Sequence, residues 1–358
     1  MSFGSIAQLW YTANMDFISL LLQWYDANRR DLPWRHTRDP YRIWVSEIML
    51  QQTRAAAVIP YYTRFFETLP TLEALALCPQ ETLLKLWEGL GYYSRARNLQ
   101  KTAQLLVQTR GGAFPREAKE LEKLPGIGPY TAGAIASIAF GEPEPAVDGN
   151  VLRILSRLFD DERDVLQPAT QKHWREFLRQ QELIRPGDLN QSFMDLGSLV
   201  CLPEGPRCES CPLGVLCLAR QRGTQALRPV RTQKKPRRVE KMTVFVLRDQ
   251  EGQLWVRRRG ETGLLAGLHE LPNLPGHLSA EEAARALTRW GLRLTGSLLV
   301  YGRRHIFTHV EWQMQVYAGQ TEGAMPPGYL LYTGKEPLPT AFRKCLPEEQ
   351  TPQKTGQA

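Results

Sequence analysis

The stretch Leu124-Pro125-Gly126-Ile127-Gly128-Pro129-Tyr130-Thr131-Ala132 separates two segments that have helical periodicity. Two glycines two positions apart let the backbone turn tightly and expose its amide groups, and the start of the following helix adds positive potential. Such a turn suits a phosphate group. Because a lone Gly-x-Gly pair more often marks only a turn, the interpretation depends on the surrounding sequence.

Helical periodicity extends on both sides of this turn, from about residue 5 to residue 222. Apolar residues recur every three or four positions, and short breaks such as Leu69-Pro70-Thr71, Gly111-Gly112 and Pro186-Gly187 separate the segments. The sequence therefore predicts an all-α domain over residues 1–222.

A basic segment follows this helical half. Between Arg220 and Lys241 there are nine Lys and Arg residues and two prolines but few apolar residues, which is typical of a linker. We expect a linker over residues 223–240, a second domain over residues 241–346 and a polar tail over residues 347–358.

The second domain has a mixed α/β pattern. MTVFVLR (242–248) and LWVRRR (254–259) flank a turn-like segment and predict a hairpin, Ala280 to Arg289 predicts a helix, and Trp312 to Val316 alternates as a strand does. The chain should therefore combine an all-α domain with a smaller α/β domain.

Composition places the chain among ordinary globular proteins, and its positive charge alone only modestly favours an acidic partner. Its 358 residues are 42% hydrophobic and 23% charged, and 45 Lys and Arg against 37 Asp and Glu give a formal net charge of +8. This balance favours nucleic acid modestly. The apolar run from Phe17 to Leu22 is too short to span a bilayer, so we expect an intracellular, cytoplasmic protein.

Four of the six cysteines form a compact cluster. Cys201, Cys208, Cys211 and Cys217 have the spacing C-x6-C-x2-C-x5-C, which lets four thiolates converge on one metal centre. Zinc and an iron–sulfur cluster both accept such a set, so the spacing leaves the metal open. Cys78 and Cys345 are isolated and suggest no site.

These motifs together resemble the endonuclease III superfamily of helix-hairpin-helix DNA glycosylases. The resemblance rests on the glycine hairpin, on Val147-Asp148-Gly149-Asn150-Val151 and on the cysteine spacing. WVSEIMLQQT (44–53) and GLGYYSR (89–95) are similar to its MutY-type adenine glycosylase branch. The resemblance implies excision of adenine mispaired with 8-oxoguanine or guanine, and a 4Fe–4S cluster held by the four cysteines.

Two carboxylates carry the implied chemistry. Breaking a purine–sugar bond requires a proton on the base and stabilisation of a cationic sugar. By resemblance Glu47 is the general acid and Asp148 the ionised stabiliser, and the apolar run around Glu47 should raise its pKa. Taken alone, Asp148 could be only a helix N-cap and Glu47 a solvated helix residue.

Other residues follow from the same resemblance. Lyase members carry a lysine where this chain has Tyr130, so we expect base excision without efficient strand cleavage and Tyr130 near the reacting sugar. The flipped adenine would occupy a pocket of Leu32, Trp34, Arg35 and Gln191, Gln52 and Tyr92 would enter the base stack, and the hairpin at Gly126 and Gly128 would bind the DNA backbone.

The C-terminal residues resemble a Nudix-like fold, notably in GLLAGLHELPN (263–273). The glutamate pair that would hold magnesium is replaced by Thr288 and Arg289, which favours recognition over hydrolysis. The resemblance assigns recognition of 8-oxoguanine to Phe307, Thr308 and His309, with Thr308 where family members commonly have Ser.

The expected partner is double-stranded DNA that contains A:8-oxoguanine or A:G mispairs, bound by a monomer without membrane association. Two other interpretations remain open at this point. One is a bifunctional lyase, which Tyr130 disfavours, and the other is a DNA-binding protein that has a structural metal and no enzymatic activity.

Overall fold

The computed structural model describes residues 17–232 and 236–347. The described residues form two compact units, one made of residues 17–77 and 98–232 and the other of residues 78–97 and 236–347. The sequence predicts a helical unit followed by an α/β unit, each made of one continuous segment, whereas each unit here contains two segments. Residues 78–97 belong instead to the second unit, although they precede most of the helical unit in the sequence.

The helices account for nearly all regular structure of the first unit. In chain order the molecule contains α1 (Phe17–Asn28), α2 (Pro40–Leu50), α3 (Ala55–Thr68), α4 (Leu72–Leu77), α5 (Gln80–Leu86), α6 (Ser94–Arg110), α7 (Ala118–Leu121), α8 (Pro129–Phe140), α9 (Gly149–Leu158), α10 (Pro168–Arg179), α11 (Pro186–Leu199), α12 (Leu218–Arg222), α13 (Ala280–Arg289) and α14 (Thr340–Arg343). Short 3-10 turns cover Pro33–Arg35 and Cys208–Ser210. No described helix is long and apolar enough to cross a membrane.

Helix α8 begins immediately after the glycine hairpin. Gly128 is its N-cap, Pro129 occupies its first turn, and Gly141 ends it in the left-handed conformation. Residues 131–137 of this helix are all buried, and α8 packs against α2 and α11. A methyl group at Gly133 would lie 2.5 Å from the carbonyl oxygen of Pro145, so the close approach requires glycine there.

One core of the helical unit gathers α1, α9, α10 and α11. Its centre is apolar, and aromatic rings of Phe17, Phe159, Trp174 and Phe177 pack edge to face or stacked at centroid distances of 5.1 to 6.5 Å. Cys201, Cys211 and Cys217 pack against the edge of this core. The core therefore supports both the start of α9 and the cysteine loop.

The second unit contains two sheets. Its strands are β1 (Arg238–Arg248), β2 (Trp255–Arg258), β3 (His269–Glu270), β4 (Asn273–Pro275), β5 (Arg293–Leu294), β6 (Leu299–Ile306), β7 (Val310–Glu322) and β8 (Tyr329–Leu331). The larger sheet has the order β4-β1-β7-β5, with β6 also paired to β7, and the smaller has the order β3-β2-β8. Strands β1 and β7 are parallel, with Arg238 opposite Val310 and Arg248 opposite Gln320. One apolar core lies around Val244, Val316 and Phe342 and another around Phe245, Leu287 and Tyr317.

The hairpin predicted between β1 and β2 is wrong. A single bridge from Arg248 to Leu254 joins the two segments, after which β1 pairs with β4 and β7 while β2 pairs with β3 and β8. The turn was correctly located. Strands β1 and β2 separate because each one is buried in a different sheet. The local sequence pattern does not specify which partner strand each one will pair with.

The segment expected as a linker also differs. Among the described residues, those up to 232 pack on the helical unit: Val230 accepts a hydrogen bond from the Val165 amide, and Arg228 is 7% exposed beside Asp160. Strand β1 already begins at Arg238. The high charge of this segment is therefore partly used in ion pairs rather than exposed to solvent.

Candidate active site

A cavity of about 210 Å³ opens in the helical unit between α2, α8, α9 and α11. Its wall includes the predicted acids and pocket residues Leu32, Trp34, Arg35, Glu47, Tyr130, Asp148 and Gln191, together with Arg30, Arg54, Asn150, Met194 and Ser198. Polar and apolar side chains thus share the wall of one concavity, and the polar groups converge there as they do in small-ligand sites. The structure brings together in one place residues that lie far apart in the sequence.

Glu47 lies on the buried face of α2, next to the hydroxyl of Tyr130. The Tyr130 hydroxyl donates a hydrogen bond to Oε2 of Glu47 at 2.7 Å. Burial raises the pKa of Glu47 to about 7, the charge of Asp148 adds to the rise, and Tyr130 and Arg35 oppose it. A carboxyl group with this pKa can deliver a proton near neutral pH.

Asp148 is both the N-cap of α9 and part of the cavity wall. Its carboxylate accepts hydrogen bonds from the backbone amides of Asn150 and Val151, at 2.7 and 2.9 Å, and from the Asn150 side chain at 2.7 Å. Burial raises the pKa of Asp148, and these three hydrogen bonds oppose the rise because they stabilise the charged form. The capping role and the cavity position therefore coexist.

A chain of hydrogen bonds connects Asp148 with the cysteine loop. The Asn150 side-chain oxygen accepts a bond from Nη2 of Arg153 at 2.9 Å, and Nε of Arg153 donates to the Cys201 carbonyl at 2.8 Å. Gly197 permits this packing, since a methyl group there would lie 2.7 Å from Cβ of Asn150. The orientation of Asp148 thus depends on α11 and on the loop that follows it.

Arginines also line the cavity. Nη1 and Nη2 of Arg35 donate to the two carboxylate oxygens of Asp195 at 2.6 and 2.9 Å. Arg30 donates to the same carboxylate through its backbone amide and its Nε. Gln191, one turn earlier on α11, donates to the Gly187 carbonyl at 3.2 Å.

The residues predicted to enter the base stack share a backbone feature. Gln52 has a φ of 59° and Tyr92 a φ of 48°, a left-handed conformation that side chains rarely adopt. Both side chains are exposed, and neither is part of the cavity wall. Gly126 likewise has a positive φ, of 76°, and packs against the Asn98 side chain.

The predicted recognition loop lies between β6 and β7 in the second unit. Phe307 closes this turn with a backbone bond to Val310 at 2.8 Å, and its ring packs on Trp312. Thr308 and His309 are exposed at the tip. The hydroxyl of Thr308 lies 3.1 Å from the hydroxyl of Tyr92, which belongs to the same unit.

The four clustered cysteines line one small cavity of about 30 Å³, together with Arg157 and Arg207. Burial raises the pKa of the Cys211 thiol to about 12, and the other three cysteines add to the rise. Arg157 donates to Sγ of Cys201 at 3.3 Å. In the described ranges no group of three or more His, Cys, Asp or Glu side chains has an arrangement that would hold a single metal ion. The thiols of the four cysteines are nevertheless the donors that an iron–sulfur cluster requires.

Sequence reasoning missed four residues of this site: Arg30, Asn150, Arg153 and Asp195. Asn150 follows Asp148 by two positions, and a polar side chain so close to an N-cap can form a hydrogen bond with the capping carboxylate. Asp195 interrupts the apolar run Phe193-Met194-Asp195-Leu196, and an acid in such a run indicates a buried ion pair. Its partners could not be read from the sequence.

Comparison with known proteins agrees with this geometry. Residues 45–180 match the HhH-GPD superfamily of base excision DNA repair proteins, and residues 243–348 match the NUDIX domain. The adenine DNA glycosylase of Homo sapiens is 37% identical over 400 residues, covering 92% of this chain and 73% of that protein. The chain belongs to the adenine DNA glycosylase family.

Further relatives and solved structures support this membership. The adenine DNA glycosylase of Buchnera aphidicola subsp. Schizaphis graminum is 38% identical over 263 residues, covering 72% of this chain and 74% of that protein. A thermostable thymine-DNA glycosylase (33% identity, TM-score 0.52) matches 57% of this chain and 95% of its own. Endonuclease III in a non-covalent DNA complex (26% identity, TM-score 0.51) matches 62% and 98% respectively. The predicted fold class, a helix-hairpin-helix glycosylase domain with a Nudix-like domain, is thereby confirmed.

Proposed function

We propose that this chain is a monofunctional DNA glycosylase of base excision repair, which as a monomer hydrolyses the N-glycosidic bond of adenine mispaired with 8-oxoguanine or guanine. Glycosylase activity on adenine agrees with the family of its relatives. The observation that carries the mechanism is that Glu47 and Asp148 line the same cavity, one beside a tyrosine hydroxyl and the other in a nest of hydrogen-bond donors.

Glu47 acts as the general acid. As the bond between the sugar carbon and the adenine nitrogen breaks, the electron pair leaves with the base, and Glu47 delivers its proton to a ring nitrogen of the adenine. The raised pKa of about 7 keeps a substantial fraction of this carboxyl group protonated at neutral pH, where an ordinary glutamate would be ionised. Once deprotonated, Glu47 accepts a proton from the water that attacks the sugar.

Asp148 remains ionised and stabilises the cationic sugar. Three hydrogen bonds hold its carboxylate in place, so no reorganisation is needed when positive charge develops. Tyr130 lies next to the reacting sugar and offers a hydroxyl where lyases of the superfamily offer an amine. Without an amine at this position no Schiff base forms there, and the product is an abasic site in an intact strand.

The adenine must leave the duplex to reach the cavity. Gln52 and Tyr92 fill the space it leaves in the base stack, while Leu32, Trp34, Arg35 and Gln191 line the pocket that receives the base. The left-handed backbone conformations of Gln52 and Tyr92 project these two side chains from exposed turns. The amides of Gly126 and Gly128 and the start of α8 bind the DNA backbone.

The opposite base is read by the second unit. Phe307, Thr308 and His309 form a short turn, and the Thr308 hydroxyl can donate to or accept from the edge of an oxidised purine. Its contact with the Tyr92 hydroxyl fixes its orientation in the absence of DNA. Recognition of 8-oxoguanine by this loop would leave guanine as the weaker partner of adenine.

Cys201, Cys208, Cys211 and Cys217 would hold a 4Fe–4S cluster. Their soft thiol donors and common cavity fit such a group. Such a cluster would cross-link the loop that follows α11. The loop in turn fixes Arg153, which reaches Asn150 beside the catalytic aspartate.

A labelled duplex that contains adenine opposite 8-oxoguanine tests the proposal. We expect strand breaks only after alkali treatment, because excision leaves an alkali-labile abasic site. Breaks without alkali would identify a lyase, and binding without breaks under either condition would identify a protein that only recognises DNA. A duplex with thymine opposite adenine is the matched control and should stay intact.

A further inference from the structure

Asp195 is a buried carboxylate behind the proposed adenine cavity. It is 0% exposed and does not line the cavity, whereas both arginines that contact it do. It accepts four hydrogen bonds, from the backbone amide and Nε of Arg30 at 3.1 and 2.6 Å and from both terminal nitrogens of Arg35 at 2.6 and 2.9 Å. Both carboxylate oxygens are thereby used.

The three residues form one unit rather than two separate ion pairs. Nη1 of Arg35 also donates to the Arg30 carbonyl at 3.0 Å, and the Arg35 guanidinium lies 5.5 Å from the centre of the Tyr25 ring. The Nε–H of Arg35 is buried and has no hydrogen-bond partner among the described residues. A buried donor without a partner is costly, and a purine nitrogen is an acceptor that could satisfy it.

We propose that Asp195 is a positioning residue for adenine excision: it locks Arg30 and Arg35 into one rigid arrangement on the cavity wall and cancels one of their two positive charges. This inference rests on the proposed function, because the cavity is taken to receive the adenine. Asp195 itself touches neither the base nor the sugar. It acts through the arginines that do.

The charge balance of this cluster also affects the general acid. The charged or titratable groups around Glu47 are Tyr130 on α8, Asp148 before α9, and Arg30, Arg35 and Arg54 in the cavity wall. Arg35 lowers the pKa of Glu47, and Asp195 offsets that positive charge. Loss of the Asp195 charge should therefore lower the pKa of Glu47, and loss of the Arg35 charge should raise it.

The test measures single-turnover excision of adenine opposite 8-oxoguanine as a function of pH for Asp195→Asn and Arg35→Gln. We expect Asp195→Asn to lose about tenfold or more in rate, because the arginines are no longer locked. The alkaline limb of its pH profile should move to lower pH by about half a unit or more. Arg35→Gln should move the same limb to higher pH, because Arg35 lowers the pKa of Glu47. Asp188→Asn, on the same helix and paired with exposed Arg185, is the control that should match the unmodified chain.

Opposite shifts in the two variants are the decisive outcome, because a merely structural residue would lower the rate without moving the limb. An unchanged rate and profile for Asp195→Asn, or slower excision with an unmoved limb in both variants, would overturn the proposal. If Asp195→Asn does not fold, Arg35→Gln decides alone: an upward shift supports the inference and an unmoved limb overturns it. If the unmodified chain does not excise adenine, the proposed function fails instead.

Discussion

The Tyr130 hydroxyl donates a 2.7 Å hydrogen bond to Glu47, across 83 residues of sequence. This bond lies inside the cavity that Asp148 also lines, and it stabilises the charged form of Glu47. The acid is therefore subject to two opposed influences. Burial favours its protonated form, and the tyrosine limits how far the pKa rises.

Excision should be fastest below about pH 7 and should fall as pH rises through the pKa of Glu47, which is about 7. Above that value the carboxyl group has lost the proton that the base requires. Glu47→Gln should retain DNA binding but lose about a hundredfold or more in single-turnover rate. Binding is measured by gel shift on the mispaired duplex, and turnover retained by this variant would remove Glu47 from the acid role.

Tyr130→Phe should move the alkaline limb of the pH profile upward. The lost hydrogen bond stabilised the carboxylate, so its removal raises the pKa of Glu47. The shape of the cavity changes little because only one oxygen atom is removed. Tyr61→Phe, whose ring belongs to the same unit, lies beside Arg64 and does not line the cavity, is a suitable control. A downward shift for Tyr130→Phe would contradict the assigned direction of this hydrogen bond.

Gly197→Ala should reduce excision about tenfold to a hundredfold while the protein remains folded. The added methyl group would lie 2.7 Å from Cβ of Asn150, whose amide holds Asp148. Asn150 cannot easily move, because Arg153 also binds it. Gly296→Ala, where nothing lies within 4 Å of the new methyl group, controls for the substitution. Equal rates for both variants would show that Asp148 does not depend on this packing.

Thr308→Val should reduce the preference for 8-oxoguanine over guanine opposite adenine, since it removes the hydroxyl and keeps the branched shape. A lost hydrogen bond of this kind is expected to reduce discrimination about threefold to tenfold. Thr308→Ser retains the hydroxyl and should preserve the preference. The ratio of single-turnover rates on the two duplexes measures the effect. An unaltered ratio in Thr308→Val would place recognition elsewhere in the chain.

Iron and acid-labile sulfide should be present in equal amounts in the purified protein, with brown absorbance. Cys208→Ser should lower both contents, because it removes one of the four proposed ligands. Cys78→Ser is the matched control, since this buried thiol belongs to the other unit. Stoichiometric zinc in place of iron would contradict the proposed cofactor.

Local features of the site could be predicted because neighbouring residues determine them. The apolar run around Glu47 indicates a buried helix face, and Asp148 before α9 has the spacing of an N-cap. The hairpin glycines are likewise recognisable from their own segment. In each case the physical cause, a helical repeat or a capping hydrogen bond, operates within a few residues.

Long-range pairings could not be predicted in this way. Asp195 meets Arg30 across 165 residues and Arg35 across 160, and no local pattern specifies which cation a buried acid will contact. The same limit explains the hairpin error, because β1 pairs with β7 rather than with the strand that follows it. Residues 78–97, assigned by helical periodicity to the first domain, also lie in the second unit.

The sequence by itself determined the helical character of the first domain, the position of the glycine hairpin, the cysteine spacing and the candidate acids. Only the tertiary structure decided that Glu47, Tyr130 and Asp148 share one cavity and that Asp195 holds two arginines against it. The reason is that local backbone preferences depend on adjacent residues. The pKa of a carboxyl group depends instead on burial and charge, which distant segments supply only when they pack together.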